Sequence, residues 1–495
     1  MDADSETTIP KTSPSQPPSP SDGKTPNVLI VGAGIGGLFL AILLDRAGIP
    51  YQIFERAATV KPLGSIMSLS PNVMAVIDQL GLLEELKAIS FRHSDTQIMY
   101  DNMKTIASFP SADIHDEIGY DFLLFSRPML YQLLLSKVPA ERIHFGKKVL
   151  TMVQNKDEVM IRCADETTYH GEILVGADGA YSAVRQHMFK IMKDQNELPP
   201  SDFKDLSKGF ICMVGTTNSL DPEVYPLVKR EDCLFSQVIG KGSSFNWSEF
   251  NIPEHRVCWV LVSQLATLEE SEKVKFRNSE WGPDTSQEFL DQVRDFPVPG
   301  CKTLGNLIDA TPAENISRVY LEDKLFESWH YGRTVLLGDA AHKLLPSAGQ
   351  GAVCAMLDSV ILANCLYDLE SLKPQSIDEA FRDYKEQRYS PVKEQFQNSK
   401  TNAIFLYGQT LVERCIRYLA LHWVPQSVKH KAFLKGAAYR PQATFLPQVP
   451  KRGTGEVLPQ KTSKRYEREQ KQKPQISSQN QSASQDTVDT TVTAV

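Results

Sequence analysis

Apolar positions along the chain fall into short unbroken runs and longer helix-period stretches, and their order predicts an α/β fold. Asn27 to Val31 is a β-branched run with the length of a buried strand. Leu38 to Ala47 repeats with helical period, and Tyr51 to Phe54 is a second strand. Ser65 to Ser70 predicts a short strand. Pro71 and Asn72 open a helix with Val73, Val76, Ile77 and Leu80 on one face, ended by Gly81. From Arg92 to Phe125 the pattern alternates, as in Thr96-Gln97-Ile98-Met99-Tyr100, which predicts antiparallel strands. Ser126 is the expected N-cap of a helix with Pro128 in its first turn and Met129, Leu130, Leu133 and Leu134 inward.

Val149 to Arg162 and Thr167 to Val175 predict a strand pair. Phe210 to Val214, Cys233 to Ile239, Ser244 to Phe250 and Val257 to Val262 predict further strands, followed by helices at Leu268 to Lys275 and Ser286 to Asp295. The aromatics of this region (Phe210, Phe235, Phe245, Trp247, Phe250, Trp259) are expected mainly in core packing. Thr334 to Leu337 is a buried-strand run leading to a helix that ends near Leu366, and Ile377 to about Phe433 is helical. Ile404 to Trp423 is apolar but carries Glu413, Arg414 and Arg417, so it is not a membrane span. Packing on the core is expected of it, ahead of lying on a membrane.

Composition narrows the class. The 495 residues hold two or three domains or one elaborate one, and 41% apolar content suits a globular core. A net charge of −7 gives no reason to expect nucleic-acid binding. Eight scattered cysteines with no C-x-x-C argue against disulfides and zinc and for a reducing compartment. Met1 to Pro26 is Ser/Pro/Thr-rich without the apolar core of a signal peptide, and reads as a disordered tail. From about Lys451 the chain turns polar and basic (Lys451, Arg452, Lys461, Lys464, Arg465, Arg468, Lys471, Lys473), then Gln/Ser/Thr-rich to Val495. A solvated linker is expected there, with attraction to an anionic membrane surface as the alternative. The expected location is cytoplasmic, with peripheral membrane contact left open.

Three stretches carry candidate chemistry. Gly32-Ala33-Gly34-Ile35-Gly36-Gly37 lies between the first strand and helix, and Glu55 ends the second strand. This is a βαβ unit with G-x-G-x-x-G and an acid little more than twenty residues on. Gly32 allows the tight turn, Gly34 lets backbone approach a pyrophosphate, Gly37 lets helix and strand pack, and Glu55 can accept from a ribose. The site is read as one for FAD or NAD(P). A membrane span over Asn27 to Leu44 is disfavoured by the glycines, the bare length and Asp45-Arg46 directly after it.

The second stretch is Gly176-Ala177-Asp178-Gly179, with Ser182 and Arg185 following. Its competing reading is an Asp-Gly turn with a cap. The third runs from Gly338-Asp339 to Ala352. There Gly349, Gly351 and Ala352 would leave backbone N–H groups bare at a helix N-terminus. His342 is read as a structural imidazole, since no partner acid stands near it in sequence.

In this order and spacing the three motifs resemble those of the class A flavin-dependent monooxygenases, the para-hydroxybenzoate hydroxylase type, from about Asn27 to Leu366. The H-K-x-x-P form of the third motif and the terminal Y-R-P-Q-A-T-F-L-P-x-V-x-x-R-G-T look like the fungal secondary-metabolism branch. The resemblance implies a Rossmann-like FAD-binding domain with an interleaved β-rich substrate domain and C-terminal helices. Residues 27–90, 126–200 and 301–370 would form the FAD-binding domain and 91–125 and 201–300 the substrate domain. A helical region would follow at 371–450, with disordered tails at 1–26 and 451–495.

It also implies that Glu55 binds the adenosine ribose and that Arg127 lies near the pyrophosphate and ribityl chain. Asp339 would hold the ribityl or pyrophosphate region, and Gly349 to Ala352 the flavin pyrimidine edge. Asp178 and Arg185 would serve the pyrophosphate and nicotinamide region. Met67 stands where the family often has glycine or another small residue. NAD(P)H would bind transiently, in line with the single fingerprint. O2 would add at flavin C4a, and the hydroperoxide would hydroxylate or epoxidise a hydrophobic, aromatic or prenylated small molecule with no catalytic side chain assigned. The rivals are a flavin reductase or dehydrogenase and a non-enzymatic interaction protein. A halogenase is disfavoured because W-x-W-x-I-P is absent.

Overall fold

The computed structural model of the chain describes residues 25–59, 66–110, 112–240, 245–264, 289–408 and 410–472. The opening βαβ unit is β1 (Val28–Val31), α1 (Ile35–Arg46) and β2 (Tyr51–Phe54), with Ile30 opposite Ile53 in a parallel pair. β3 (Ile66–Leu69) leads into α2 (Pro71–Gln79), whose Pro71 stands where an N–H would have no helical partner. Further on come α3 (Arg127–Leu135), β4 (Ile173–Gly176), α4 (Ala183–Asp194), β5 (Phe245–Ile252) and β6 (Thr334–Leu336). Five further helices follow toward the C-terminal part: α5 (Gly351–Tyr367), α6 (Pro374–Tyr407), α7 (Leu411–Trp423), α8 (Gln426–Gly436) and α9 (Lys464–Gln472).

One sheet has six strands, in the order His330–Tyr331, β6, β4, β1, β2, Ile143–His144. β6, β4, β1 and β2 pair in parallel, are covered on both faces, and are therefore almost wholly apolar. The chain leaves β1 toward β2 and later fills the other side with β4 and β6. This makes the end of β1 the topological switch point, where open α/β sheets form a crevice.

The second sheet has ten strands. Its main path runs His342–Lys343, Ile316–Leu325, Ser207–Thr216, Arg256–Gln264, β5, Cys233–Ile239, Phe91–Tyr100, Leu123–Ser126, β3, with Thr105–Pro110 beside Phe91–Tyr100. Both faces are packed. β5 sends Trp247 into a cluster with Trp259 and Leu304, and Phe250 into another with Cys258 and Ile252. Trp247, Phe250, Trp259 and Phe210 are buried core residues.

Several elements differ from expectation. Ser126 holds the extended N-cap conformation of α3 but makes no side-chain cap bond. Leu130 and Leu134 are buried, whereas Met129 and Leu133 are half-buried. A helix, Ala112–Ile118, interrupts the antiparallel region, with Ile114 and Ile118 inward at helical spacing. The pair expected over 149–175 is a three-stranded antiparallel sheet (Val149–Gln154, Val159–Cys163, Thr168–Gly171) from which β4 departs. Thr168 to Gly171 alternates polar and apolar, while Ile173 to Val175 is uniformly apolar and suits the parallel sheet. The predicted helix Leu268–Lys275 lies outside the described residues, as do the first three residues of Ser286–Asp295; of the rest, Phe289 to Asp291 is helical and a turn follows.

The described chain continues through the basic stretch to Gln472, past the tail boundary expected at Lys451. Its cations meet acids that only the fold brings near. Lys461 pairs with Asp383 (2.6 Å), Arg468 with Glu370 (2.6 Å) and Arg452 with Asp78 (2.7 Å). Arg465 reaches the Tyr367 carbonyl. The packing on the core expected of Ile404 to Trp423 holds for one side of α7 only. That side is seated, while Leu411, Val412, Ile416, Leu419 and Trp423 are exposed.

Candidate cofactor site

The glycine loop sits at the switch point. Gly32 has φ +107°, and a Cβ there would stand 2.4 Å from the Ala177 carbonyl oxygen, so only glycine lets the first and second motifs touch. At Gly37 a Cβ would stand 2.1 Å from the Gly32 carbonyl oxygen, which fixes how closely α1 approaches its strand. Gly34 is the opposite case. It is exposed, and a Cβ there would meet no protein atom within 4 Å. No side chain caps α1, so the N–H groups of its first turn open onto this space.

Glu55, at the end of β2, accepts from Ala33 N–H through Oε2 (2.9 Å) and from Ala57 N–H through Oε1 (2.9 Å). The carboxylate thus braces the glycine loop while half-exposed. Tyr131 on α3 faces it. Burial first, and then the Glu55 charge, push its hydroxyl up to about 12, and that hydroxyl is buried without a partner. Arg127 is one helical turn before Tyr131, exposed, and pairs with nothing among the described residues.

Asp178 follows β4. Its Oδ2 accepts from Ala183 and Val184 N–H (2.7 and 3.2 Å), capping α4, while Ser182 Oγ accepts from Arg185 N–H (2.9 Å). The cap reading of this motif is therefore realised, but it uses one oxygen only. Oδ1 is buried and unpaired. Burial raises the Asp178 carboxyl above its ordinary range, against the bonds that its charge accepts. Arg185 is buried and ties the second motif to the third. Its guanidinium donates to Ala180 O (2.6 Å) and Ala340 O (2.9 Å) and lies 4.2 Å from the centroid of Phe326. Burial lowers its pKa to about 10 even though Asp178, Asp202 and Asp339 oppose the fall.

Asp339 lies in a short turn after β6 and pairs with Lys343 (2.6 Å). Beyond it Gly349 takes φ +62°, and a Cβ there would stand 2.7 Å from Ser68 Oγ on β3. Side chains alternate along a strand, so Ser68 turns to this loop and Met67 turns to the main core, leaving only Met67 backbone near the loop. Gly351 starts α5 with open space at its Cβ position, and Ala352 is half-buried beside it. No side chain caps α5 either. α1 and α5 pack near their starts: a Cβ at Gly36 would stand 3.3 Å from Ala355 Cβ, and about two turns into α5 Ser359 Oγ donates to Gly36 O (2.9 Å). Two uncapped helix N-termini therefore lie in packed neighbours.

His342 does have a partner acid, sixteen residues on. Buried Asp358 accepts from Gly338 N–H (2.9 Å) and Arg388 Nε (2.7 Å) and bonds His342 Nε2 (2.6 Å). Burial would raise the Asp358 carboxyl, but His342 and Arg388 outweigh it and hold it near 2. Asp358 is the sole charge in an otherwise apolar helix, a signal of a buried pair. Arg388, on a highly polar helix, shows no such signal, and neither Tyr131 nor Ser68 stands out in sequence. A groove of about 730 Å³ bordered by Met152, Ile191, Tyr331 and Pro374 shares no residue with the motifs.

An open glycine loop at a switch point, a carboxylate behind it and two free helix N-termini define a dinucleotide-binding fold. The open space at Gly34 and Gly351 and the unpaired atoms of Asp178 and Tyr131 fit FAD. The model of the FAD binding domain family matches residues 25–205 and 303–399, more than half of the chain. The FAD-dependent monooxygenase paxM of Penicillium paxilli is 29% identical over 445 residues, 86% of this chain and 88% of that one. The FAD-dependent monooxygenase penM of Penicillium crustosum is 29% identical over 383 residues, covering 76% and 77%. Klebsiella pneumoniae HpxO, solved with FAD and uric acid, matches with a TM-score of 0.69 at 20% identity, over 84% of this chain and 97% of that one, a likeness of fold. The chain belongs to the FAD binding domain family and is an FAD-dependent monooxygenase similar to enzymes of fungal secondary metabolism.

Proposed function

We propose that this monooxygenase uses NAD(P)H and O2 to hydroxylate or epoxidise a hydrophobic small molecule. FAD would be held by Gly32, Gly34, Gly37, Glu55, Arg127, Asp178, Arg185, Asp339, Gly349, Gly351 and Ala352, with Met67 contributing backbone. The observation that carries the reading is the open cradle at Gly34, where a Cβ would meet no protein atom within 4 Å. Bound there, FAD supplies the redox and oxygen-transfer chemistry. The chain binds and orients it. First-turn N–H groups of α1 take the pyrophosphate, Glu55 accepts from a ribose, and the N-terminus of α5 stabilises negative charge on the flavin ring. Arg185 keeps the second and third motifs in register.

The surroundings of the third motif are apolar, since Phe210, Cys212 and Val262 pack with Leu345 and with Ala403 and Tyr407 of α6 in a buried cluster; a hydrophobic substrate suits such surroundings. The test is the absorbance spectrum of the purified protein before and after anaerobic NADPH or NADH, followed by turnover under labelled O2. A flavin band that bleaches, with label in the product, supports the proposal. A band that bleaches while the product stays unlabelled makes the enzyme a reductase. A flavin that neither cofactor reduces, with candidate substrates present, overturns the proposal.

A further inference from the structure

The outer side of α7 is an apolar surface, and the helix that follows it in the chain, α8, is rich in lysine. Leu411, Val412, Cys415, Ile416, Leu419 and Trp423 fall within roughly 140° of arc at helical spacing. All are exposed, Leu411 by 79% and Trp423 by 75%. The helix is nevertheless firmly placed. Thr410 and Glu413 form a capping box at its start. Arg417, on the opposite side, is buried and donates to the carbonyls of Phe405 and Gly408 (3.0 Å each). Leu421 on that same side lines a small cavity with Tyr100 and Ile239 of the ten-stranded sheet.

Charge on this corner runs against the rest of the protein. From Leu411 to Gly436 there are five Lys and Arg and one acid, Glu413, in a chain of net charge −7. Arg414, Lys431 and Lys435 are exposed and have no acidic partner among the described residues. In contrast, Lys461, Arg465 and Arg468 near the C-terminus are consumed by ion pairs. No described helix is long and apolar enough to cross a membrane. Residues 1–24 and 473–495 have no apolar run to lie over the stripe. A second copy would set the same cations against each other.

We propose that α7 lies in the plane of an anionic lipid bilayer, with its apolar stripe at the acyl boundary and Arg414, Lys431 and Lys435 at the headgroups. Trp423 sits at the end of the helix, suited by its amphipathic ring to the interface. The FAD-loaded full chain is to be sedimented with vesicles of phosphatidylcholine alone or with about 30% phosphatidylserine. Its mass in solution is measured by light scattering. The expected result is binding to the anionic vesicles that weakens with salt. Leu419→Ser with Trp423→Ser should weaken it about a hundredfold, roughly tenfold per side chain, with the flavin spectrum unchanged. Lys431→Glu with Lys435→Glu should remove the preference for phosphatidylserine. Failure to bind either vesicle overturns the proposal. So does equal binding by the serine variant, or a dimer that the serine variant dissociates in a chain that ignores vesicles.

Discussion

Asp358→Asn keeps the size of a fully buried side chain and removes its charge. In the native protein that carboxylate serves Gly338 N–H, His342 and Arg388 at 2.9, 2.6 and 2.7 Å. The asparagine leaves Arg388 a buried cation with no counter-charge, a change that costs about 3–5 kcal/mol. Proton linkage gives a second measure. The carboxyl is held near 2 against an ordinary 3.8, worth on the order of 2 kcal/mol. Because the folded value is depressed, this contribution is complete above the unfolded pKa and is lost as pH falls from about 4 to about 2.

Urea unfolding followed by circular dichroism, at neutral pH and in acid, measures both. Asp358→Asn should lose about 3–5 kcal/mol at neutral pH and show a shallower acid slope. Arg388→Met should cost a similar amount alone. The double variant should recover at least about 2 kcal/mol of the summed loss, because it removes the unpaired charge. A single-variant cost under about 1 kcal/mol, or strictly additive costs, would refute the reasoning.

Gly34→Ala should fold normally, since its Cβ meets no protein atom within 4 Å, yet bind FAD at least about tenfold more weakly by flavin titration. Gly37→Ala should lower stability by about 2–3 kcal/mol or prevent folding, because its Cβ would lie 2.1 Å from a backbone oxygen. Arg185→Met should cost about 2–3 kcal/mol in urea unfolding. Arg185→Lys should recover little, having no planar fork to reach Ala180 and Ala340 together. Tyr131→Phe should leave the FAD-free protein no less stable, since the hydroxyl is unpaired there, and weaken FAD severalfold.

Sequence alone determined the parts governed by local rules. Strand length, helical period and glycine spacing are properties of neighbouring residues. The β1–α1–β2 unit, the strand before Asp178 and the strand before Asp339 were therefore legible, and with them the α/β fold. What lies across space was not. Asp358 and Arg388 are thirty residues apart on different helices, and the apolar setting of Asp358 announces a buried pair without naming the partner. The basic C-terminal stretch looks solvated until Asp383 and Glu370 face it. Composition marked Ile404 to Trp423 as apolar with a few charges, but whether the apolar side chains meet core or open surface depends on which elements arrive to cover them. Burial is a property of two surfaces, and a linear pattern describes only one. Tertiary structure decided that Arg417 and Leu421 turn inward and that Trp423 does not.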